Sequence, residues 1–201
     1  GLATRGVAAL RYEKRTKVYQ AQLAAHGSGL TVHEETIVDA VAAVTSLRAH
    51  DSIDPNRVFV IGHSLGGYLM PRIAVEDSDD RVAGYISLAG NARSLQELIL
   101  AQTNYLLSLD GELSDSDKRQ LDALSSQIAQ TQNADANFKA HQGIVLGAPA
   151  SYWLDLRSYD PLESVKRIKQ PMLFLQGERD YQVTMEDFQR WQSSLNSRQD
   201  V

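Results

Sequence analysis

The sequence predicts an α/β fold in which a mostly parallel sheet is flanked by helices. Short apolar runs rich in β-branched residues alternate along the chain with longer segments of helical periodicity. The 201 residues are 43% hydrophobic and 22% charged, which suits one globular domain with a sizeable core. These observations together favour strands connected through helices rather than an all-helical or all-strand chain.

The first half of the chain shows this alternation clearly. Thr31 and Glu34 have the Thr-x-x-Glu pattern of a capping box, and the apolar residues behind them recur at helical spacing. A short apolar run at residues 7–10 predicts a buried strand. The remaining elements predicted here are a helix at 32–49, a strand at 57–61, a helix at 65–76 and a strand at 82–88.

The second half begins with a change of period. Helical periodicity starts at Ser94, and Ser114 is a predicted N-cap, so residues 94–141 are predicted to form an all-helical insertion. The insertion separates a first core part, 1–93, from a second core part, 142–201. The second part contains a predicted strand at 171–175 and a helix capped by Thr184.

Composition excludes several classes of function. The net charge of −5 and the absence of a Lys/Arg-rich tract make nucleic acid and anionic membrane surfaces unexpected partners. The chain has no cysteine, which excludes disulfides, thiolate metal sites and a cysteine nucleophile. No run of about 18 apolar residues predicts a membrane span. No metal-ligand spacing or phosphate-binding glycine loop is present, so no cofactor is expected.

The turn between the predicted strand at 57–61 and the helix after it carries the clearest functional signal: Gly62, His63, Ser64, Leu65 and Gly66. Small residues two before and two after a serine, in this context, are typical of a nucleophile elbow. Glycine tolerates both the unusual dihedral angles of such a turn and a close approach of helix to strand. The elbow would place the Ser64 hydroxyl beside the Leu65 N–H and the positive end of a helix, which suits acyl transfer.

A serine nucleophile needs a base and an acid that orients the base. In folds with this elbow the chain order is serine, acid, histidine, and the acid follows a later strand. Asp180 fits this position because it comes after the strand at 171–175 and a glycine turn. Glu178, two residues nearer the strand, is the alternative.

The five histidines do not supply the expected base, because none of them follows Asp180. His63 lies next to Ser64, but its side chain should point away from the reactive face, so it is expected to pack or to line the substrate pocket. The remaining histidines are expected at the surface, at helix ends or at the end of the insertion: His26, His33, His50 and His141.

Two other motifs are similar to known catalytic motifs but are predicted to be unrelated to the site. Residues 26–29 read His-Gly-Ser-Gly, which is typical of loops that supply oxyanion N–H groups, but no apolar strand precedes them. Ser151 lacks the second glycine of an elbow and is predicted to be a loop serine.

Three segments resemble the α/β-hydrolase superfamily, and specifically its bacterial esterase-like members near the dienelactone hydrolase and prolyl-oligopeptidase-like branches: residues 5–15, 60–67 and 171–183. Their order and spacing bracket almost the whole chain. The resemblance implies Ser64 as nucleophile and Asp180 as the acid of a triad. It also implies that residues 94–141 form a cap, or lid, over the site.

The same resemblance implies that the chain is the central portion of a hydrolase, truncated at both ends. In the family, residues 5–15 correspond to the fourth strand and the loop after it. The earlier strands and the oxyanion loop would lie upstream of Gly1, and the last strand and the catalytic histidine downstream of Val201. The third strand normally lies between the fourth and fifth, so the segments 7–10 and 57–61 would share no hydrogen-bonding partner.

The sequence therefore predicts a serine hydrolase that acts on a small-molecule carboxylic ester. Ser64 would attack the acyl carbonyl, Asp180 would orient a histidine from outside the chain, and the Leu65 N–H would donate one oxyanion hydrogen bond. A thioesterase or a peptidase would use the same triad, and a non-catalytic hydrolase-like binding protein is the alternative from another class. Without the histidine, the 201 residues alone are expected to be inactive.

Overall fold

The structure is a computed structural model that describes residues 1–25, 29–77, 81–133 and 144–201. The helical segments are a 3-10 turn at Ala3–Arg5, α1 (Arg15–Val18), α2 (Gln20–Ala25), a π-helical turn at His33–Ile37 that continues into α3 (Val38–Arg48), α4 (Leu65–Glu76), α5 (Leu95–Leu107), α6 (Asp115–Gln132), α7 (Ala150–Arg157), α8 (Pro161–Val165) and α9 (Met185–Ser194). The strands are β1 (Phe59–His63), β2 (Gly84–Leu88), β3 (Ile144–Val145), β4 (Ala148–Pro149) and β5 (Met172–Leu175).

Within the described residues, three of these strands form a parallel sheet in the order β1-β2-β5. Strands β3 and β4 pair separately as a short antiparallel hairpin. Helices connect the parallel strands, as a parallel crossover requires. The α/β class predicted from the sequence is therefore confirmed.

The two faces of the sheet differ in the side chains that they bury. Val60, Tyr85 and Met172 are neighbours in the register, and the side chains of this row lie in a core that also contains Met70 of α4 and Trp191 of α9. On the other face the apolar side chains of the two outer strands are about half exposed: Phe59 (53%), Ile61 (55%), Leu173 (45%) and Leu175 (50%). Among the described residues, helices therefore cover mainly one face.

Most of the predicted elements are present with small shifts at their ends. The predicted helix at 65–76 coincides with α4, and the strands predicted at 57–61 and 82–88 begin two residues later, as β1 and β2. The predicted capping box is confirmed, because Glu34 N–H donates to Thr31 Oγ1 and Thr31 N–H donates to the Glu34 carboxylate. Local sequence signals were sufficient for these elements.

The strand predicted at residues 7–10 is wrong. These residues have no regular structure, and Val7 and Leu10 are 47% and 43% exposed. Leu10 and Tyr12 line a groove of about 180 Å³ together with residues of α3 and β1. An apolar run forms a strand only where a neighbour bonds to its backbone, and none of the described strands pairs with this run.

The predicted insertion contains two helices in its described part: α5 begins after Ser94, where the helical period was predicted to start, and α6 begins after Ser114, the predicted N-cap. The Ser94 hydroxyl accepts from Glu97 N–H, and the Ser114 hydroxyl accepts from Asp117 N–H. Helices α5 and α6 are also linked by a buried hydrogen bond from Gln96 Nε2 to Thr131 Oγ1. Residues 134–141 of the predicted insertion lie outside the described residues, so its extent stays a prediction.

Helix α7 was not predicted, and it changes the interpretation of Ser151. The Ser151 side chain is buried in α7 and its hydroxyl donates to the Leu30 carbonyl, so the prediction of a loop serine is wrong. Two residues further along, Trp153 is buried and its indole N–H donates to the Val145 carbonyl. The hydrophobic residues of α7 cover too few turns for the sequence periodicity to reveal the helix.

A buried ion pair connects the loop after β2 to α9. Asp187 is fully buried and accepts hydrogen bonds from the Arg93 guanidinium and from the backbone N–H groups of Ala92 and Arg93. Burial alone would raise the pKa of Asp187, but these donors outweigh it and hold the pKa below its usual value. Arg93 also donates to the hydroxyl of Thr184, the N-cap residue of α9.

Asp187→Ala is expected to destabilise the protein by about 3–5 kcal/mol at pH 7, because it leaves the Arg93 guanidinium without its buried carboxylate partner. The pKa of Asp187 is lower in the folded chain than its usual 3.8, so its contribution is present above that pH and is lost as the pH falls through the folded value. Urea unfolding should therefore give a difference between wild type and variant that shrinks at pH 3.

The neighbouring Glu186→Ala provides the control. Glu186 also pairs with Arg93, but its side chain is 52% exposed, so the variant should lose less than about 1 kcal/mol. Equal losses for the two variants would show that burial of the Asp187 carboxylate does not determine the stability of this contact.

Candidate active site

Ser64 lies in the turn that joins the carboxyl end of β1 to the first residue of α4. Its φ is 53° and its ψ is −116°, a conformation that residues with a side chain rarely adopt. Ser64 N–H donates to the Leu88 carbonyl at the end of β2, and the Ser64 carbonyl accepts from Tyr68 N–H in α4. Backbone strain of this kind costs about 1–3 kcal/mol and persists only where the surrounding structure enforces it.

Close contacts in this turn explain why it contains glycine. A Cβ on Gly62 would lie 2.2 Å from the carbonyl oxygen of Gly66, so no larger residue fits at position 62. A Cβ on Gly67 would lie 2.6 Å from Ser87 Oγ and 2.7 Å from Gly90 Cα. The close approach of α4 to the neighbouring strand therefore occurs at Gly67, whereas a Cβ on Gly66 would meet open space.

Leu65 is the first residue of α4, and its N–H is one of those that have no acceptor within the helix. The N–H lies at the positive end of the helix dipole, next to Ser64. The side chain of Leu65 packs against the buried cluster that contains Tyr68, Leu69 and Trp153. The turn thus presents a hydroxyl and a backbone donor on consecutive residues.

His63 is the last residue of β1 and its side chain is exposed. Its register partner is Leu88 in β2. Successive side chains of a strand alternate between the faces of the sheet, so His63 is oriented by β1 and not by the turn that positions Ser64. Its role in a substrate pocket stays a prediction.

Asp180 lies in the loop that follows β5, which we call the acid loop (residues 176–184). Its Oδ1 accepts hydrogen bonds from the N–H groups of Gln182 (2.9 Å) and Val183 (3.2 Å), and its own N–H donates to the Gly177 carbonyl. The Asp180 side chain is partly buried, whereas Glu178 is exposed. One carboxylate oxygen of Asp180 is therefore fixed by the loop backbone.

The described histidines other than His63 lie at the ends of helices, as predicted. His33 Nε2 is 3.4 Å from a carboxylate oxygen of Glu76, and His50 Nδ1 accepts from Ser52 N–H. His141 and the His26-Gly27-Ser28 part of the glycine-rich motif lie outside the described residues. Within the described part of the chain, no histidine forms a hydrogen bond to Ser64.

Two residues of α5 contact the acid loop, and sequence reasoning did not assign them this position. Gln102 Nε2 donates to the Gln182 carbonyl at 3.0 Å. The ring of Tyr105 stacks on the ring of Tyr181, with centroids 4.9 Å apart and an interplanar angle of 19°. The sequence signal was only their three-residue spacing, which puts 102 and 105 on one side of a helix.

The described segments contain no group of three or more His, Asp or Glu side chains that could hold a metal ion. None of the helices in those segments is both long enough and apolar enough to cross a lipid bilayer.

Comparison with known proteins identifies relatives of the chain. The profile of the alpha/beta hydrolase family matches residues 3–199. Esterase EstD of Thermotoga maritima is 38% identical over 205 residues, which cover 100% of this chain and 44% of that protein. The chain thus spans less than half the length of this relative.

Similar solved structures include two from Pseudomonas aeruginosa. A hypothetical protein has a TM-score of 0.48 and 15% identity, with 83% of this chain and 58% of that chain covered. A hydrolase has a TM-score of 0.45 and 15% identity, with 89% and 73% covered.

Gly67→Ala is expected to destabilise the 201-residue chain by about 1–3 kcal/mol, because its Cβ would overlap the backbone of Gly90 and the hydroxyl of Ser87. Gly66→Ala, one residue earlier in the same helix, has space for the methyl group and should gain up to about 1 kcal/mol from the higher helix propensity of alanine. Urea unfolding of both variants beside wild type measures the difference. Similar stabilities would contradict the assignment of the close approach to Gly67.

Proposed function

The chain belongs to the alpha/beta hydrolase family, and from this premise we propose that the protein is a serine hydrolase that acts on carboxylic ester bonds through a Ser-His-Asp triad. The observation that carries the proposal is the conformation of Ser64, whose φ of 53° lies in the turn between β1 and α4. Strained backbone of this kind clusters at functional sites, where it fixes the direction of a reactive side chain. The relative from Thermotoga maritima, which is named as an esterase, supports the choice of ester bond.

In the proposed reaction, Ser64 Oγ attacks the carbonyl carbon of the ester while a histidine accepts the hydroxyl proton. The negative charge that develops on the carbonyl oxygen accepts a hydrogen bond from Leu65 N–H and from a second donor. The histidine returns the proton to the leaving alcohol, and an acyl group remains on Ser64. Water, deprotonated by the same histidine, then releases the carboxylic acid.

We assign the role of the acid to Asp180. The two N–H donors on its Oδ1 fix the carboxylate and leave Oδ2 available to the Nδ1–H of an imidazole. Glu178 has no such support and is exposed, so it is the weaker alternative. The histidine is proposed to follow Asp180 in the chain, outside residues 1–201, so these residues alone are not expected to turn over an ester.

Helices α5 and α6 are proposed to be part of a cap that shapes the substrate pocket. Leu65 beside the nucleophile, Leu95 and Ile99 of α5 and Leu146 of the β3–β4 hairpin are all partly buried against one apolar cluster. Apolar side chains from three separate elements thus pack on the same cluster as Leu65, the residue that follows Ser64. This composition favours an ester with an apolar acyl or alcohol group.

A non-catalytic binding protein is the second candidate, and it is favoured by one observation. No histidine of the described residues bonds to Ser64, so the hydroxyl has no base within that part of the chain. The chemistry of covalent labelling separates the two candidates, because a fluorophosphonate reacts only with an activated serine.

Ser64→Ala in the full-length protein is expected to lower kcat for p-nitrophenyl acetate by several orders of magnitude, since removal of the nucleophile leaves only binding and oxyanion stabilisation. A fluorophosphonate probe should modify wild type at Ser64 and leave the variant unlabelled, as mass spectrometry of the peptide would show. Retained esterase activity in the variant would exclude Ser64 as nucleophile. Absence of labelling in wild type at every pH would favour the binding protein.

Asp180→Asn should lower kcat by about 10⁴-fold, because an amide cannot hold the imidazole in the tautomer that accepts the serine proton. Glu178→Gln, in the same loop, makes an equivalent change to an exposed carboxylate and should leave kcat near wild type. Steady-state kinetics of the two variants with one ester would decide the assignment. The reverse pattern would transfer the role to Glu178.

A further inference from the structure

The acid loop depends on α5 for much of its support. Gly177, Glu178, Arg179, Tyr181 and Gln182 are all exposed, so the tip of the loop has little contact with the core. At its far end Val183 is buried and its carbonyl accepts from Gln176 Nε2 at 2.6 Å. Among the described residues, contacts from another element reach the tip through Gln102 and Tyr105.

Gln182 joins the two sets of interactions. Its N–H donates to Asp180 Oδ1, and its carbonyl accepts from Gln102 Nε2. The residue that orients the carboxylate is thus held in place by a side chain of the helix. Tyr181, which lies between Asp180 and Gln182 in the chain, is held by the stacked ring of Tyr105.

The chemistry of the two α5 residues points to positioning and not to simple covering. An apolar side chain would be enough for a helix that only shields the site from water. Gln102 instead supplies a directional donor to one backbone carbonyl, and Tyr105 presents a flat ring to one aromatic partner. Both contacts restrict where the loop can lie.

We propose that Gln102 and Tyr105 are positioning residues, through which helix α5 holds the acid loop so that Asp180 faces the catalytic histidine. The inference rests on the proposed serine hydrolase function and adds to it a role for the cap beyond shaping the substrate pocket. Substrate selection and the geometry of the triad then depend on the same helix. Neither side chain is expected to touch the substrate.

Displacement of Asp180 has a definite electrostatic consequence. A carboxylate beside an imidazole favours the protonated ring and raises its pKa. If the loop moves away, the pKa of the histidine falls, and the acidic limb of the kcat/KM profile moves to lower pH. The proton transfer also loses its alignment, which lowers kcat with little effect on KM.

The test compares four variants of the full-length protein. The first is the double variant that combines Gln102→Ala and Tyr105→Ala. The second is the conservative Tyr105→Phe, and the third is Asn104→Ala, a control on the exposed side of the same helix. Tyr105→Phe keeps the stacked ring, so it should behave like wild type. The fourth variant, Ser64→Ala, tests the function on which the inference rests.

The double variant should lose about tenfold in kcat, less than the loss expected on removal of the acid, with KM nearly unchanged. Its acidic limb in kcat/KM should lie at lower pH than in wild type, Tyr105→Phe and Asn104→Ala. Thermal melting recorded beside the kinetics identifies variants that fail to fold. A folded double variant with wild-type kcat, or with lower kcat and an unmoved pH limb, would overturn the inference.

Different results would refute the serine hydrolase function and the positioning role of α5. Esterase activity that survives Ser64→Ala refutes the proposed function itself. Loss of activity in Ser64→Ala together with a wild-type pH profile in a folded double variant refutes only the role of α5. If the double variant unfolds, the single variant Gln102→Ala tests the role of α5, because it removes only one hydrogen bond at the surface of that helix. An acidic limb of kcat/KM at the wild-type pH in this variant would count against the inference.

Discussion

The contact between Gly67 of α4 and Gly90 of the loop after β2 is the constraint on which the site depends. The two backbones meet so closely that neither position has room for a Cβ, and Ser87 Oγ occupies the remaining space. This proximity allows α4 to begin directly at the end of β1, which forces Ser64 into its strained conformation. The burial of Tyr68, Leu69 and Met70 in the first turns of α4 supplies the packing energy that keeps the strained turn in place.

The same loop is fixed from its other side by α9. Trp191 donates its indole N–H to the Gly90 carbonyl, and Asp187 binds Ala92 and Arg93. Helix α4, the loop after β2 and α9 therefore form one continuous set of contacts that includes the turn of Ser64. The acid loop is different, because its tip is exposed and its position relies on α5. Of the two proposed catalytic side chains, Ser64 is thus held by contacts with the core, whereas Asp180 is held by a loop with an exposed tip.

Local signals in the sequence were sufficient for the elements that carry the site. The strand-turn-helix at Ser64, the helix starts at Ser94 and Ser114 and the strand before Asp180 each depend on residues within a few positions of one another. The wrong strand at residues 7–10 depends instead on a partner that is distant in the chain. Residues 7–10 have the composition of a strand, but no edge of the described sheet pairs with them.

The crowding at Gly67 likewise depends on a segment that is distant in the chain, since the second backbone at that point belongs to Gly90. Spacing alone cannot reveal such a contact, nor the stacking of Tyr105 on Tyr181 across 76 positions of sequence.

Side chains on one face of the sheet account for the position of Ser64. Val60, Tyr85 and Met172 pack in the core that also contains residues of α4 and α9, and these helices hold the loop that Gly67 contacts. The half-exposed residues Phe59 and Ile61 lie on the opposite face and do not take part in these contacts. The strained turn at Ser64 is therefore complete within residues 1–201, even though helices cover mainly one face of the sheet.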